Sequence, residues 1–232
     1  KNPSEKLPLF NGSTEKNIGD FLNYLGKLNY NINKNLESVG QFQIIKNKKG
    51  TLYFDSGEPP SHKLSKDYQS GPLSFEYLND NEKIITNCGY GRKISKKVQI
   101  LSKYTSAQST LCLDNTSVVK FKKNNLINKA YGSTISNTFK IFNVSRTEDN
   151  KNIILSGTHN AYLSKFGYLH KRSIKFFKKN NDITGNDFLI KKSNGLNVEF
   201  SIRFHIYPGI NIVETIVKIK KIIDKIISII SP

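Results

Sequence analysis

From residue 38 to about residue 210 the chain is a succession of short apolar-rich runs, each closed by residues that reverse a backbone. The candidate strands cover 42–46, 51–55, 73–78, 83–88, 109–113, 118–121, 138–144, 152–156, 170–177, 188–191 and 196–206. Asn, Asp, Gly and Ser cluster between them, at 47–50, 79–81, 114–116, 148–150, 180–182 and 193–195. Such residues tolerate the angles a turn demands. Parallel strands need crossovers of about a dozen residues, usually helical, and no long helical pattern separates these runs. The spacing therefore predicts an all-β, antiparallel β-sandwich. Alternation is clearest over 196–206, where Leu196, Val198, Phe200, Ile202, Phe204 and Ile206 share one face and Arg203 and His205 lie on the other.

The flanks differ from this body. Residues 1–37 mix Pro and Gly with Phe21, Leu22, Leu25 and Leu28 at helical spacing, which predicts a connector with one short helix. Residues 38–212 form the sandwich domain. In the Lys/Ile-rich tail, 213–232, Ile219, Ile222, Ile223, Ile226, Ile227 and Ile230 fall on one helical face. That pattern reads as a membrane-surface helix, as a packed C-terminal helix, or as sequence that is not native to the protein. The chain starts at Lys1 and contains no methionine, so it is expected to be a piece of a longer protein. No run of about 18 apolar residues is present, so no transmembrane helix is predicted.

Lys and Arg number 36 against 18 Asp and Glu, a net charge of +18. A balance of that size points to a polyanionic partner. Yet only Arg92, Arg146, Arg172 and Arg203 are arginines, beside 32 lysines and 27 asparagines. An AT-rich codon usage explains that excess, and base-reading sites favour arginine for its bidentate fork. A nucleic-acid partner is not expected. The two cysteines, Cys88 and Cys112, are too few for a disulfide framework and are expected to be buried thiols.

None of the four histidines (His62, His159, His170, His205) lies in an HExxH or His-x-His pattern, so a metal site would have to be assembled from separate strands. The stretch from Thr158 to Arg172 holds His159, Tyr162, His170 and Arg172. It reads either as proton-transfer and carboxylate-neutralising groups or as a polar hairpin with its tyrosines packed at the rim. Arg203 and His205 suit an anionic ligand, or simply a solvated sheet face.

Six stretches, in this order, resemble the sandwich region of the heparinase II/III-like polysaccharide lyases. They are LPLFNGS (7–13), LYFDSGEPP (52–60), GPLSFEYLNDNEKIITNCGYGR (71–92), AQSTLCLDNTS (107–117), THNAYLSKFGYLHKR (158–172) and EFSIRFHIYPGI (199–210). The resemblance implies a supersandwich-like domain preceded in the same parent chain by a helical toroid, which this chain lacks. It further implies β-elimination on an acidic, uronic-acid-containing polysaccharide: a base takes the C5 proton, the sugar carboxylate is neutralised, and an acid assists the C4 oxygen as it leaves. Such substrates favour a periplasmic or secreted location.

Under the resemblance His159, Tyr162 and Arg172 are expected to be catalytic, with Gln108, His170, Arg203 and His205 binding substrate. Some relatives bind a divalent metal such as zinc or calcium. Here Gln69 and Gln108 stand where relatives carry histidine; glutamine can hydrogen-bond a sugar but is a poor zinc ligand. Half the cleft being absent, the fragment alone is expected to be inactive. A carbohydrate-binding or interaction module without catalysis is the alternative reading.

Overall fold

The computed structural model describes residues 7–15, 18–30, 36–80, 82–122, 133–192, 195–210, 220–223 and 227–230. In chain order the elements are α1 (Gly19–Lys27), β1 (Ser38–Val39), β2 (Phe42–Lys46), β3 (Gly50–Asp55), β4 (Phe75–Asn79), β5 (Glu82–Thr86), α2 (Lys96–Leu101), β6 (Leu111–Leu113), β7 (Ile141–Glu148) and β8 (Asn152–His159). There follow α3 (Leu163–Phe166), β9 (Tyr168–Phe177), β10 (Ile183–Lys191), β11 (Phe200–Ile202), β12 (His205–Ile206), β13 (Lys220–Ile223) and β14 (Ile227–Ile230).

Two antiparallel sheets face each other. One has strand order β1-β2-β3-β4-β5-β12 and the other β10-β9-β8-β7. Their inner faces meet in one apolar cluster, to which the first sheet and the turn before β4 send Ile45, Leu52, Phe54, Leu73, Phe75 and Tyr77, and the second Ile153, Leu155, Ile174 and Phe176. Residues alternate across a strand with period two. In β9 this buries His170, Arg172, Ile174 and Phe176 while Lys171, Ser173, Lys175 and Phe177 stay half-buried outside. Each fully buried Leu, Ile or Phe stabilises the fold by about 1.5–3 kcal/mol. A second cluster, with Leu111, Leu113, Ile135, Phe139, Tyr162 and Phe166, lies under the loops.

The segment ahead of α1 is docked onto the sandwich. Buried Glu76 accepts from the Leu9 N–H at 3.1 Å, the Thr86 hydroxyl at 2.8 Å and the Asn87 N–H at 3.1 Å. Its other oxygen lies 3.5 Å from the buried Lys83 ammonium, which also donates to the Leu7 carbonyl at 3.3 Å. The Phe10 ring packs on Phe42 with centroids 4.9 Å apart.

Three expectations are corrected. The run 196–206 is not one strand: β11 pairs with β6 and β12 with β5, so the segment crosses from one short sheet to the edge of a larger one. Residues 118–121 form no strand; Phe121 makes a single bridge to Ile135. In the tail, β13 and β14 pair antiparallel, Lys220 opposite Ile230 and Ile223 opposite Ile227, where a helix was one of the predicted forms. Ile219 and Ile226 lie outside the described residues. Isoleucine is stiff at χ1 and favours strands, and short apolar runs satisfy helical and extended periods alike. The alternation also misses α2, where the Ser95 side chain accepts from the Val98 N–H and caps the first turn.

Candidate functional site

Four of the seven predicted site residues, His159, Tyr162, His170 and Arg172, cluster where β8, β9 and β10 meet the segments around β6. The register sets Gly157 opposite Arg172 and His159 opposite His170, and on the other side Asp187 opposite Arg172 and Leu189 opposite His170. Since Ile153 and Leu155 point inward, parity carries His159 inward too. Gly157 is required for space: a Cβ there would come within 2.7 Å of Leu73 Cδ2. Between β8 and β9 the chain turns through α3, which ends on Gly167 at φ 79°, the left-handed cap that glycine adopts without strain.

Asp187 is the centre of the cluster, and sequence reasoning missed it. Its Oδ1 lies 2.8 Å from Arg172 Nε and 2.6 Å from His170 Nε2, and its Oδ2 2.9 Å from the Arg172 terminal nitrogen. Burial pushes this carboxyl up, but the Arg172 charge and the His170 hydrogen bond outweigh it and hold the group well below the usual carboxylate range. The remaining Arg172 nitrogen donates to the carbonyls of Leu73, at 3.0 Å, and Ser109, at 2.7 Å. One guanidinium thus ties the second sheet to the turn before β4 and to the strand-like segment before β6.

The ionised carboxylate fixes both imidazole tautomers. Asp187 can only accept, so His170 Nε2 carries the proton and its Nδ1 is an acceptor. That acceptor lies 2.9 Å from His159 Nε2, which must therefore donate. His159 Nδ1 in turn accepts from the Ala161 N–H at 3.2 Å. Both rings are neutral and satisfied. Burial pushes His159 down, with help from His170 and Arg172, and burial also lowers His170 against the opposing pull of Asp187.

His159, Tyr162 and Arg172, the residues expected to be catalytic, are buried in this structure, 0%, 1% and 1% exposed. Tyr162 donates its hydroxyl to the Leu111 carbonyl at 3.0 Å, and burial holds its phenol well above the usual range. His170 and Gln108 are sealed as well. A sugar cannot touch these side chains in this structure. Arg203 and His205 are only half-buried. Arg203 donates to the Asn115 side chain at 2.9 Å, whereas His205 sits 3.4 Å from the Cys88 sulfur, apart from the buried cluster. Cys112 is buried as expected, but Cys88 is exposed, because the chain leaves β5 at Thr86 before reaching it.

The residues at the positions where relatives carry histidine do not fit a metal. Gln69 donates to the carbonyls of Gly89, at 2.8 Å, and Ser102, at 2.9 Å, and accepts from the Gly12 N–H at 3.1 Å. Gln108 donates to the same Ser102 carbonyl at 2.8 Å. Both amides are spent on backbone groups. Among the described residues no group of three or more His, Cys, Asp or Glu could hold a metal ion.

This fold has counterparts of known structure. The sequence model of the Heparinase II/III-like, C-terminal family matches residues 33–221, and the chain belongs to this family. It resembles the heparan sulfate lyase HepC from Pedobacter heparinus at 16% identity and a TM-score of 0.62, over 89% of this chain and 32% of that one. It is similar also to a heparinase III, the BT4657 gene product, at 12% identity and a TM-score of 0.63, over 89% of this chain and 32% of that one. The chain thus spans about a third of the length of these structures. No curated protein sequence matches it.

Proposed function

We propose that this chain is the sandwich portion of a polysaccharide lyase cleaving uronic-acid-containing glycans by β-elimination, and that the portion alone does not turn substrate over. The observation that carries the reading is the family match across 33–221. In the elimination the C5–H and C4–O bonds break and a C4–C5 double bond forms; a base receives the C5 proton and an acid protonates the departing oxygen. The C5 proton is weakly acidic, so neutralising the adjacent carboxylate is a large part of lowering the barrier. In this reading the toroid of the same parent chain supplies the base and the acid. The half-buried Arg203 and His205 contact the acidic glycan. His159, Tyr162, His170, Gln108 and Arg172 are positioning residues: enclosed, and hydrogen-bonded to one another, to Asp187 or to backbone carbonyls, they hold the strands beside Arg203 and His205.

A non-catalytic carbohydrate-binding module is the second reading, favoured by the two glutamines whose amides are committed to backbone carbonyls. Appearance of the 4,5-unsaturated uronate chromophore on acidic glycans separates the two. The parent should yield it and the 232-residue chain should not. Product from the chain alone refutes the proposed division of labour, and binding by the parent without product establishes the module.

A further inference from the structure

At the far end of the β7–β10 sheet from His159, the β7–β8 and β9–β10 turns flank an open, solvent-facing cavity of about 800 Å³ whose lining includes Lys151, Lys175, Lys178, Lys179 and Phe177 and no carboxylate. That volume falls within the range of small-ligand sites, about 300–1,000 Å³. The antiparallel register explains the gathering: Asn152 lies opposite Phe177, so the two turns rise side by side. His159 stands seven residues further along β8, roughly 23 Å away at the rise of a strand.

The lysines divide by role. Lys178 is structural, its ammonium 2.6 Å from Glu148 and 2.7 Å from the Asp149 carbonyl. Lys175 lies over the Phe177 ring, 4.9 Å from its centroid. Lys151 and Lys179 are exposed, and among the described residues no carboxylate pairs with either. The Asp149 carboxylate is turned into its own loop, accepting from the Lys151 N–H at 2.6 Å and the Asn152 N–H at 2.7 Å. The Asn152 amide donates to Asp149, at 3.2 and 3.3 Å, and the Asn180 amide to Asp182; what remains is a concave site with the ammonium groups of Lys151 and Lys179 and the half-buried Phe177 ring.

We propose that this cavity is an accessory binding site for a sulfated or carboxylated oligosaccharide, separate from the His159 end of the sheet. Ammonium groups meet sulfate or carboxylate as point charges, and the Phe177 ring meets the C–H face of a pyranose. Duplex nucleic acid fits less well, because the cavity is concave and its lining carries no arginine. The site needs no turnover, so its failure and that of the lyase reading are told apart by reading binding alone.

The test is calorimetric titration of the 232-residue chain with a heparin-type sulfated octasaccharide at physiological salt. Lys151→Gln with Lys179→Gln should weaken binding roughly ten-fold, as loss of two polyanion contacts predicts. Lys27→Gln with Lys97→Gln, an equal charge change on the exposed faces of α1 and α2, should change it less than about two-fold if the charge is not simply diffuse. Phe177→Ala should weaken the octasaccharide but not inorganic sulfate. Equal losses in the two lysine pairs, absence of binding by the unaltered chain, or duplex DNA captured as tightly through the same two lysines would each overturn the proposal.

Discussion

Replacing Asp187 with asparagine keeps the shape of the side chain but removes the charge that balances Arg172. At an N···O separation of 2.8–2.9 Å the charge centres are about 4 Å apart, an attraction of roughly 4 kcal/mol at an effective dielectric of 20. Breaking such a buried pair from one side strands the other charge and costs about 3–5 kcal/mol. In a chain of this size that corresponds to a loss of roughly 6–20 °C in melting temperature. Urea unfolding at pH 7.5 and low temperature measures it, as a lower midpoint at unchanged slope. The reasoning also demands non-additivity. Arg172→Met should cost a similar amount, since Asp187 and the Leu73 and Ser109 carbonyls lose their donor. The double substitution should cost far less than the two single losses added, with a coupling of about 2–3 kcal/mol. A single loss below about 1 kcal/mol, the range of an exposed pair, or additivity within about 0.5 kcal/mol, would refute the claim that this pair is enclosed and cooperative.

Stability should fall as pH drops from about 6.5 towards 5. His159 and His170 are held below their ordinary value, so the unfolded chain binds those protons first, costing about 1.4 kcal/mol per pH unit for each. The half-buried His205, also held down by its burial, adds to the fall, while Asp55, buried and raised to about 7, opposes it, since the folded chain keeps its proton where the unfolded one loses it; the histidines outnumber it and the net slope keeps their sign. Unfolding midpoints flat or rising on acidification would contradict the tautomer assignment. Gly91→Ala places a Cβ 2.4 Å from Val98 Cγ1 and 2.8 Å from its backbone and should destabilise by about 1–3 kcal/mol; Gly26→Ala, in α1 with nothing within 4 Å, should stabilise by up to about 1 kcal/mol. Differential scanning fluorimetry ranks the two. Glu76→Gln, which removes one of the two carboxylates beside buried Lys83 (the other, Glu15, also lies 3.5 Å away), should speed proteolytic cleavage within residues 7–15; unchanged digestion would show that the segment is held by its apolar contacts and the Lys83–Glu15 pair instead.

Much of the enclosed cluster was legible before any coordinates. In β9 the even positions read His170, Arg172, Ile174, Phe176, and in β8 the odd ones read Ile153, Leu155, Gly157, His159. Apolar neighbours of the same parity already place both imidazoles and the guanidinium on the inward face. Asp187 shares parity with Leu189 and was open to the same logic. The break inside 196–206 had no such signal: its alternation is unbroken, yet the chain exchanges one partner strand for another at Arg203.

By itself the sequence determined most of the strands, the antiparallel class and the family, because alternation, turn residues and motif order are local properties of the chain. Only the tertiary structure decided which polar side chains are sealed. Burial depends on what the facing sheet brings opposite each residue, and here that is Leu73, Ser109 and Asp187, distant along the chain from the side chains they enclose.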